Sequence, residues 1–552
     1  MDSVSRREIL GSAVVLGGTF VVPGSSSLAS AGRTRAIPAD SVVRTANGTL
    51  RGFHSDGVHK FLGVHYGETT AGPGRFQPAT PVKPWKGLRD AKAFGNPCIQ
   101  DNRDLPIWVD EQPMSEDCLA LNVWVPTGST RKKPVMVWIH GGYYTVGSAG
   151  IPPYDGSTLA KRGDVVVVGV NHRLNGFGYM YLGGLSQRFA SSGNLGQMDL
   201  VEALRWIRDN IAQFGGDPDN VTVFGESGGG FKISYLLGMP AAKGLFHKAI
   251  LQSGAVSSTR TAEAATHEAR LVLDQLGLRV DQVEHIVDVP AAKLLEAFTT
   301  VESSTRQGFT AKVAPFSPLI EPHTLPFDLT SEAAMAHSDK VTILLGGTTE
   351  EYAYFAGFQR PMPDPRNDDE MRTIIAREML VDEAKASALI TASRAIWPNL
   401  DRQRLTIRIE SDLWMWGDIF KLANRKSARP GAKVYMYDFA WKTPFSKGLW
   451  ALHGAELAYV FGTVDMDLWN WDGSDTAVAR AKADPAGLRY GLASTVMAAW
   501  TNFARNGVPS APRLPTWPPY TVENAQVMVL DGKPKVIDDL RDPHFWKLHL
   551  AP

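Results

Sequence analysis

The stretch Val221-Thr222-Val223-Phe224-Gly225-Glu226-Ser227-Gly228-Gly229 constrains the fold of this chain more than any other. A short apolar run runs straight into a glycine-dense turn that opens another helix. A Gly-x-Ser-x-Gly pattern between a strand and a helix demands a sharp, strained turn in which neighbouring Cβ atoms have no room. Such a turn exposes the serine hydroxyl and aims helix N-terminal N–H groups at the reacting oxygen. The pattern also arises by chance in a chain with 52 Gly in 552 residues, so its context decides.

That context is an alternation of strands and helices. Val135-Met136-Val137-Trp138-Ile139 and Val165-Val166-Val167-Val168-Gly169-Val170 are unbroken apolar runs, as expected of strands covered on both faces. Between 199 and 214, Leu200, Ala203, Leu204, Ile207, Ile211 and Phe214 recur at helical spacing. Upstream, Asn47-Gly48 between Val42-Val43-Arg44 and Thr49-Leu50-Arg51 predicts a hairpin. The alternation implies an α/β fold with a large, mostly parallel central sheet flanked by helices. Segments 258–340 and 360–430 read as helical insertions on that sheet rather than as separate domains.

Composition removes other classes. Fifty-seven Lys+Arg balance 57 Asp+Glu, whereas a nucleic-acid binder carries a basic excess. With 44% hydrophobic and 21% charged residues, the chain beyond its N-terminus cannot be broadly disordered.

The N-terminus has a different character. Ser5-Arg6-Arg7-Glu8-Ile9-Leu10 is a twin-arginine pattern, an apolar run reaches Val22, and Ala29-Ser30-Ala31 offers small residues for cleavage. These features in this order predict a bacterial export signal over 1–31, with 32–552 forming one catalytic domain in the periplasm or outside the cell. The run is too short and too interrupted to span a membrane. The two cysteines, Cys98 and Cys118, suggest a disulfide in an exported protein. Closing that loop would stabilise by roughly 3 kcal/mol, and two buried thiols are the alternative.

A serine nucleophile needs an imidazole base, an oriented acid and donors for the oxyanion. His140-Gly141-Gly142-Tyr143 follows the strand ending at Ile139, where the backbone of a glycine turn can supply such donors. Several further stretches then occur in a telling order. They include Phe61-Leu62-Gly63-Val64-His65-Tyr66, Arg75-Phe76, Pro84-Trp85 and Ser115-Glu116-Asp117-Cys118-Leu119-Ala120-Leu121-Asn122-Val123. Asn171-His172-Arg173-Leu174, the run from Asn210 to Pro218, Trp500-Thr501-Asn502-Phe503-Ala504 and Trp517-Pro518-Pro519-Tyr520 follow. With these motifs the chain resembles, from about 42 to about 546, the type-B carboxylesterases, the branch of α/β-hydrolases that includes cholinesterases and bacterial para-nitrobenzyl esterases.

The resemblance implies a site, residue by residue. Ser227 matches the family's nucleophile. Leu345-Gly346-Gly347-Thr348-Thr349-Glu350-Glu351 matches its acid motif and selects Glu351, with Glu350 one register away. His453 in His453-Gly454-Ala455-Glu456 matches the base. The oxyanion donors would be the backbone N–H groups of Gly142, Tyr143 and Gly228. Tyr143 stands where the family has a small residue and would narrow the acyl side of the pocket; Gly228 stands where Ala is usual. Cys98–Cys118 matches a family disulfide loop, and Arg173 with Asp199 a buried ion pair.

The implied function is hydrolysis of a small-molecule carboxylic ester through an acyl-enzyme, with no metal or organic cofactor and no nucleic-acid partner. A catalytically silent, cholinesterase-like binding module, and an amidase or lipase of the same fold, are the alternatives. No His-Glu-x-x-His occurs, and Asp465, Asp467 and Asp472 lack calcium-loop spacing. Trp108 could stack a ligand or simply pack.

Overall fold

The computed structural model describes residues 41–101, 113–128, 132–256, 258–306, 314–357, 362–467 and 473–539. The expected export signal over 1–31, Trp108 and Asp472 lie outside these residues.

Eleven strands form the central sheet: β1 (Phe53–Ser55), β2 (Val58–His65), β3 (Ala120–Pro126), β4 (Lys133–Ile139), β5 (Val166–Val170), β6 (Gly216–Glu226), β7 (Lys248–Gln252), β8 (Thr342–Thr348), β9 (Val434–Phe439), β10 (Gln526–Leu530) and β11 (Lys535–Asp538). Their spatial order is β11-β10-β9-β8-β7-β6-β4-β5-β3-β2-β1. The run from β10 to β5 is parallel throughout, and antiparallel pairs close both ends. The predicted hairpin is also present, Val42 pairing with Arg51 and Arg44 with Thr49, in a small separate sheet.

Successive side chains of a strand point to opposite faces, and here the two faces carry different cores. Val135, Val137 and Ile139 of β4, with Val221 and Val223 of β6, join one apolar cluster. Met136, Trp138 and Phe224 join the other. On the first face pack α1 (Leu195–Asn210) and α2 (Gly228–Gly238). Among the later helices, α3 (Ala291–Thr305) also joins that cluster, whereas α4 (Leu488–Asn506) covers the second face with Trp500 and Phe503. Strands buried on both sides must be apolar at every position, which is why their sequences show no alternation.

The expected helix over 199–214 starts earlier, at Leu195, and its last turn tightens to a 3₁₀ turn over Ile211–Phe214. The apolar spacing continues through that change because both forms keep the same face on the sheet.

The expected disulfide is a correction. Cys98 and Cys118 are free, buried thiols. Both belong to the first core cluster, and Cys98 Sγ accepts the Leu174 N–H at 3.3 Å. The hydrogen bond that the Cys118 thiol makes to Cys98, and then burial, push Cys118 well above its usual range. Free cysteine packs as a small hydrophobe, and both thiols contribute to the core in that way. Among the described residues, no helix is long and apolar enough to cross a membrane.

Candidate active site

β6 ends at Glu226 and α2 begins at Gly228, leaving Ser227 alone at the corner. Its φ of 53° and ψ of −122° lie where non-glycine residues rarely go. Two backbone hydrogen bonds hold the corner: Ser227 N–H donates to Gln252 O at 2.8 Å, and Phe231 N–H donates to Ser227 O at 2.9 Å. The flanking glycines answer to crowding. A Cβ on Gly225 would stand 2.7 Å from Ile139 O, and one on Gly229 only 2.0 Å from the same atom.

The next parallel strand beyond β7 supplies the acid. β8 ends at Thr348, and the turn after it brings Glu351 back under the strand end. A Cβ on Gly347 would lie 2.3 Å from Glu351 Oε1, so the glycine makes the room for this carboxylate. Thr348 N–H donates to Oε1 at 2.7 Å, and His453 Nδ1 donates to Oε2 at 2.5 Å. Glu350 faces elsewhere: it pairs with Arg404, stands 3.5 Å from Lys442 Nζ and accepts the Ala451 N–H at 2.9 Å.

His453 is buried on the loop before a short helix, Leu457–Phe461. Trp414 packs edge-on against its ring at 5.0 Å between centroids. Trp414 belongs to a five-residue π-helical turn, Asp412–Trp416, inserted between two α-helical segments. Such turns cluster at functional sites because one extra residue re-aims the side chains.

The third residue around the imidazole was not singled out from the sequence. Glu226 Oε1 stands 3.2 Å from His453 Nε2. It occupies the variable position of the Gly-x-Ser-x-Gly pattern, so the motif itself carries no signal for it. Burial pushes the Glu226 carboxyl up to about 7, with His453 pulling it down and Glu351 pushing it up. Glu456, fully buried nearby, is pushed up to about 8 by burial and then by Glu226 and Glu351. Burial works against a charged His453, but Glu226 and Glu351 outweigh it and raise its pKa above the ordinary imidazole value. These groups titrate together rather than singly.

Ser227, His453, Glu226, Gly142 and Tyr143 border one cavity of about 630 Å³. Ser227 Oγ and His453 Nε2 make no hydrogen bond with each other here; such contacts are commonly loose before substrate enters. Gly142 and Tyr143 both have positive φ, 83° and 59°. Gly228 lies against them: a Cβ there would fall 2.2 Å from Tyr143 O and 2.5 Å from Tyr143 N. The three expected donor residues are therefore gathered at one point beside Ser227, and glycine at 228 permits that approach.

Tyr143's ring borders the cavity and packs edge-on to Tyr144 at 5.0 Å and to Phe231 at 5.5 Å. Across from it, α3 presents Leu295, Phe298, Thr299 and Glu302, positions three and four apart on one helix face. Arg306, just past α3, pairs with Glu302 at 3.2 Å and lies 5.0 Å above the Tyr143 ring.

The carboxylesterase family profile matches residues 39–546. The chain is 36% identical over 504 residues to para-nitrobenzyl esterase of Bacillus subtilis (strain 168), covering 90% of this chain and 96% of that one. It is 30% identical to phenmedipham hydrolase of Pseudarthrobacter oxydans over 91% of this chain and 97% of the relative. Among solved structures, a thermophilic PNB esterase superposes with a TM-score of 0.78 at 35% identity, covering 92% of this chain and 99% of its own. That solved structure shares the α/β-hydrolase architecture seen here.

Proposed function

Because the chain belongs to the carboxylesterase family and hydrolyses carboxylic esters, we propose that it does so with Ser227 as nucleophile, His453 as base and Glu351 as the orienting acid. The observation that carries this reading is the 2.5 Å contact from His453 Nδ1 to a buried Glu351, on a histidine that shares one cavity with the strained Ser227. A carboxylate on Nδ1 fixes the tautomer and orientation of the ring and favours the imidazolium formed during attack.

The steps follow from these roles. Ser227 Oγ adds to the ester carbonyl while its proton passes to His453 Nε2. The carbonyl oxygen becomes an oxyanion, held by backbone N–H groups of Gly142, Tyr143 and Gly228. Collapse breaks the C–O bond to the alcohol, which leaves with the proton from His453. Water then adds to the acyl-enzyme with His453 again taking a proton, and Ser227 is released with the carboxylic acid. Donors placed in advance for an oxyanion contribute about 3–4 kcal/mol each in comparable sites. Glu226, at 3.2 Å from Nε2, adds a second acidic group beside the imidazolium.

Two measurements test the assignment. A fluorophosphonate probe should label Ser227 and no other serine, and Ser227→Ala should lose nearly all esterase turnover while staying folded. Labelling elsewhere, or turnover surviving in the variant, would discard the mechanism.

A further inference from the structure

α2 carries a lysine in an unusual place. Every residue of this helix is buried, and Lys232 has no exposed surface at all. Its Nζ donates to the backbone carbonyl of His140 at 3.2 Å. His140 closes the end of β4 and begins the loop on which Gly142 and Tyr143 stand. The nucleophile and the lysine share one rigid helix, since Ser227 is its N-cap and Lys232 lies in its second turn. One ammonium thus joins the element carrying the nucleophile to the strand end carrying the expected oxyanion donors.

Backbone packing does not call for a lysine here. The helix already packs on this strand end through backbone, since a Cβ on Gly229 would lie 2.0 Å from Ile139 O and 3.1 Å from His140 O. The titratable groups facing Lys232 are His140 and His172, stacked at 4.7 Å between ring centroids. Burial, and then the lysine, push His140 down to about 3, and His172 is likewise driven well below its usual value. Neither is an anion, and only burial acts on the lysine. A lone buried cation is costly, and a methionine would fill the same space.

We propose that Lys232 is a positioning residue for ester hydrolysis, its ammonium clamping the His140 carbonyl and so setting the gap between Ser227 and the N–H groups of Gly142 and Tyr143. The proposal rests on the serine mechanism above. Lys232 is absent from the cavity lining, so the clamp acts on kcat and leaves KM in place.

The clamp is also sensitive to pH. Burial pulls the Lys232 pKa down to about 7. Below that value a charge-assisted hydrogen bond holds the carbonyl; above it a neutral amine holds it about half as strongly. Activity contributed by the clamp therefore falls as pH rises through neutrality. Stability moves the other way. Between about 7 and the ordinary lysine range near 10.4, the unfolded chain binds the proton that the folded chain has lost, so this group makes folding more favourable as pH rises. Alkaline unfolding would lower both quantities together.

The test compares the wild type with Lys232→Gln, which keeps a neutral donor, and Lys232→Met, which keeps none. The ratio of wild-type to Lys232→Gln kcat, measured with a para-nitrophenyl ester across pH 5.5–9.5, cancels the His453 ionisation common to both. It should drop about fivefold around neutrality, as loss of charge assistance predicts, with KM constant. Lys232→Met should show lower kcat at every pH, yet match or exceed the wild type in thermal stability below pH 7. A flat ratio, or a kcat of Lys232→Met equal to the wild type's, overturns the proposal. Should neither variant fold, Lys232→Arg decides, because its guanidinium stays charged across this range: the ratio of wild-type to Lys232→Arg kcat must fall about fivefold through neutrality, and a flat ratio refutes the clamp. Failure of Ser227 to label overturns the serine mechanism itself, a result distinct from a flat ratio on a labelled enzyme.

Discussion

Two adjacent glutamates show how much one residue of register decides. Glu351 is fully buried with both oxygens occupied, by Thr348 N–H and by His453 Nδ1. Glu350 instead meets Arg404, Lys442 and the Ala451 N–H. Glu351→Gln leaves an amide that can present its N–H to Nδ1 and stabilise the wrong tautomer, and it removes the charge that favours imidazolium. It should lower kcat by about three to four orders of magnitude, the scale found when an orienting triad acid becomes an amide. Glu350→Gln should cost stability on the order of 1 kcal/mol, through a weakened ion pair, and change kcat by less than a few-fold. Single-turnover kinetics of the two variants check both expectations; equal losses would mean that turnover needs both carboxylates and that Glu351 is not the sole orienting acid. At this scale the sequence was readable where a motif fixes residue type at fixed spacing, as at Ser227 and His453. It was silent where position alone matters. Glu226 fills a variable motif position, and Lys232 lies four residues beyond the motif's first helical glycine, so neither carries a pattern. Their roles come from contacts across 227 and 92 residues of chain, Glu226 to His453 and Lys232 to His140.

Elements, rather than single residues, build the wall of the cavity. The loop after β4 contributes Tyr143, and α3 faces it with Leu295 and Phe298. The Tyr143 ring is braced by Tyr144 and Phe231 edges and overlaid by Arg306, so its position is fixed rather than free to swing aside. Short acyl groups should fit between loop and helix better than long ones. Tyr143→Ala keeps the backbone N–H and removes the ring, which opens the space in front of α3. Preference should then move toward bulkier acyl chains by tens-fold, because one or two methylenes in a pocket are worth about 1–3 kcal/mol. A series of para-nitrophenyl esters of graded acyl length measures this directly. An unchanged profile with reduced stability would mean that the ring only packs. The core strands were legible at this scale because burial on both faces demands unbroken apolar runs. The π-helical turn at Asp412–Trp416 was not, since its residues continue the helical spacing on either side and only the backbone registers the extra residue.

Across the whole molecule, the alternation of strands and helices specified a mostly parallel sheet, but not the order β6-β4-β5-β3 in which the chain crosses back on itself. That order depends on which helix covers which face, a property of long-range packing that no local pattern encodes. One buried ion pair holds three separated parts of this arrangement. Arg173, just after β5, donates to both oxygens of Asp199 in α1, at 2.8 and 2.6 Å, and to the Gln77 carbonyl of the N-terminal segment at 2.8 Å. Both charged side chains are almost wholly buried, and Asp199 also accepts the Arg173 N–H at 3.1 Å. The two charges offset each other only as a pair. Arg173→Met strands a buried carboxylate and the Gln77 carbonyl, and should destabilise the fold by about 3–5 kcal/mol, as breaking a buried pair does. Arg173→Met combined with Asp199→Leu removes both charges and should recover most of that loss, because well-packed apolar replacements of such pairs are commonly neutral or better. Equilibrium denaturation in urea, followed by tryptophan fluorescence, gives the two values. If the double variant is as unstable as the single one, the strength of this junction lies in the carbonyl contact and the shape of the guanidinium rather than in charge.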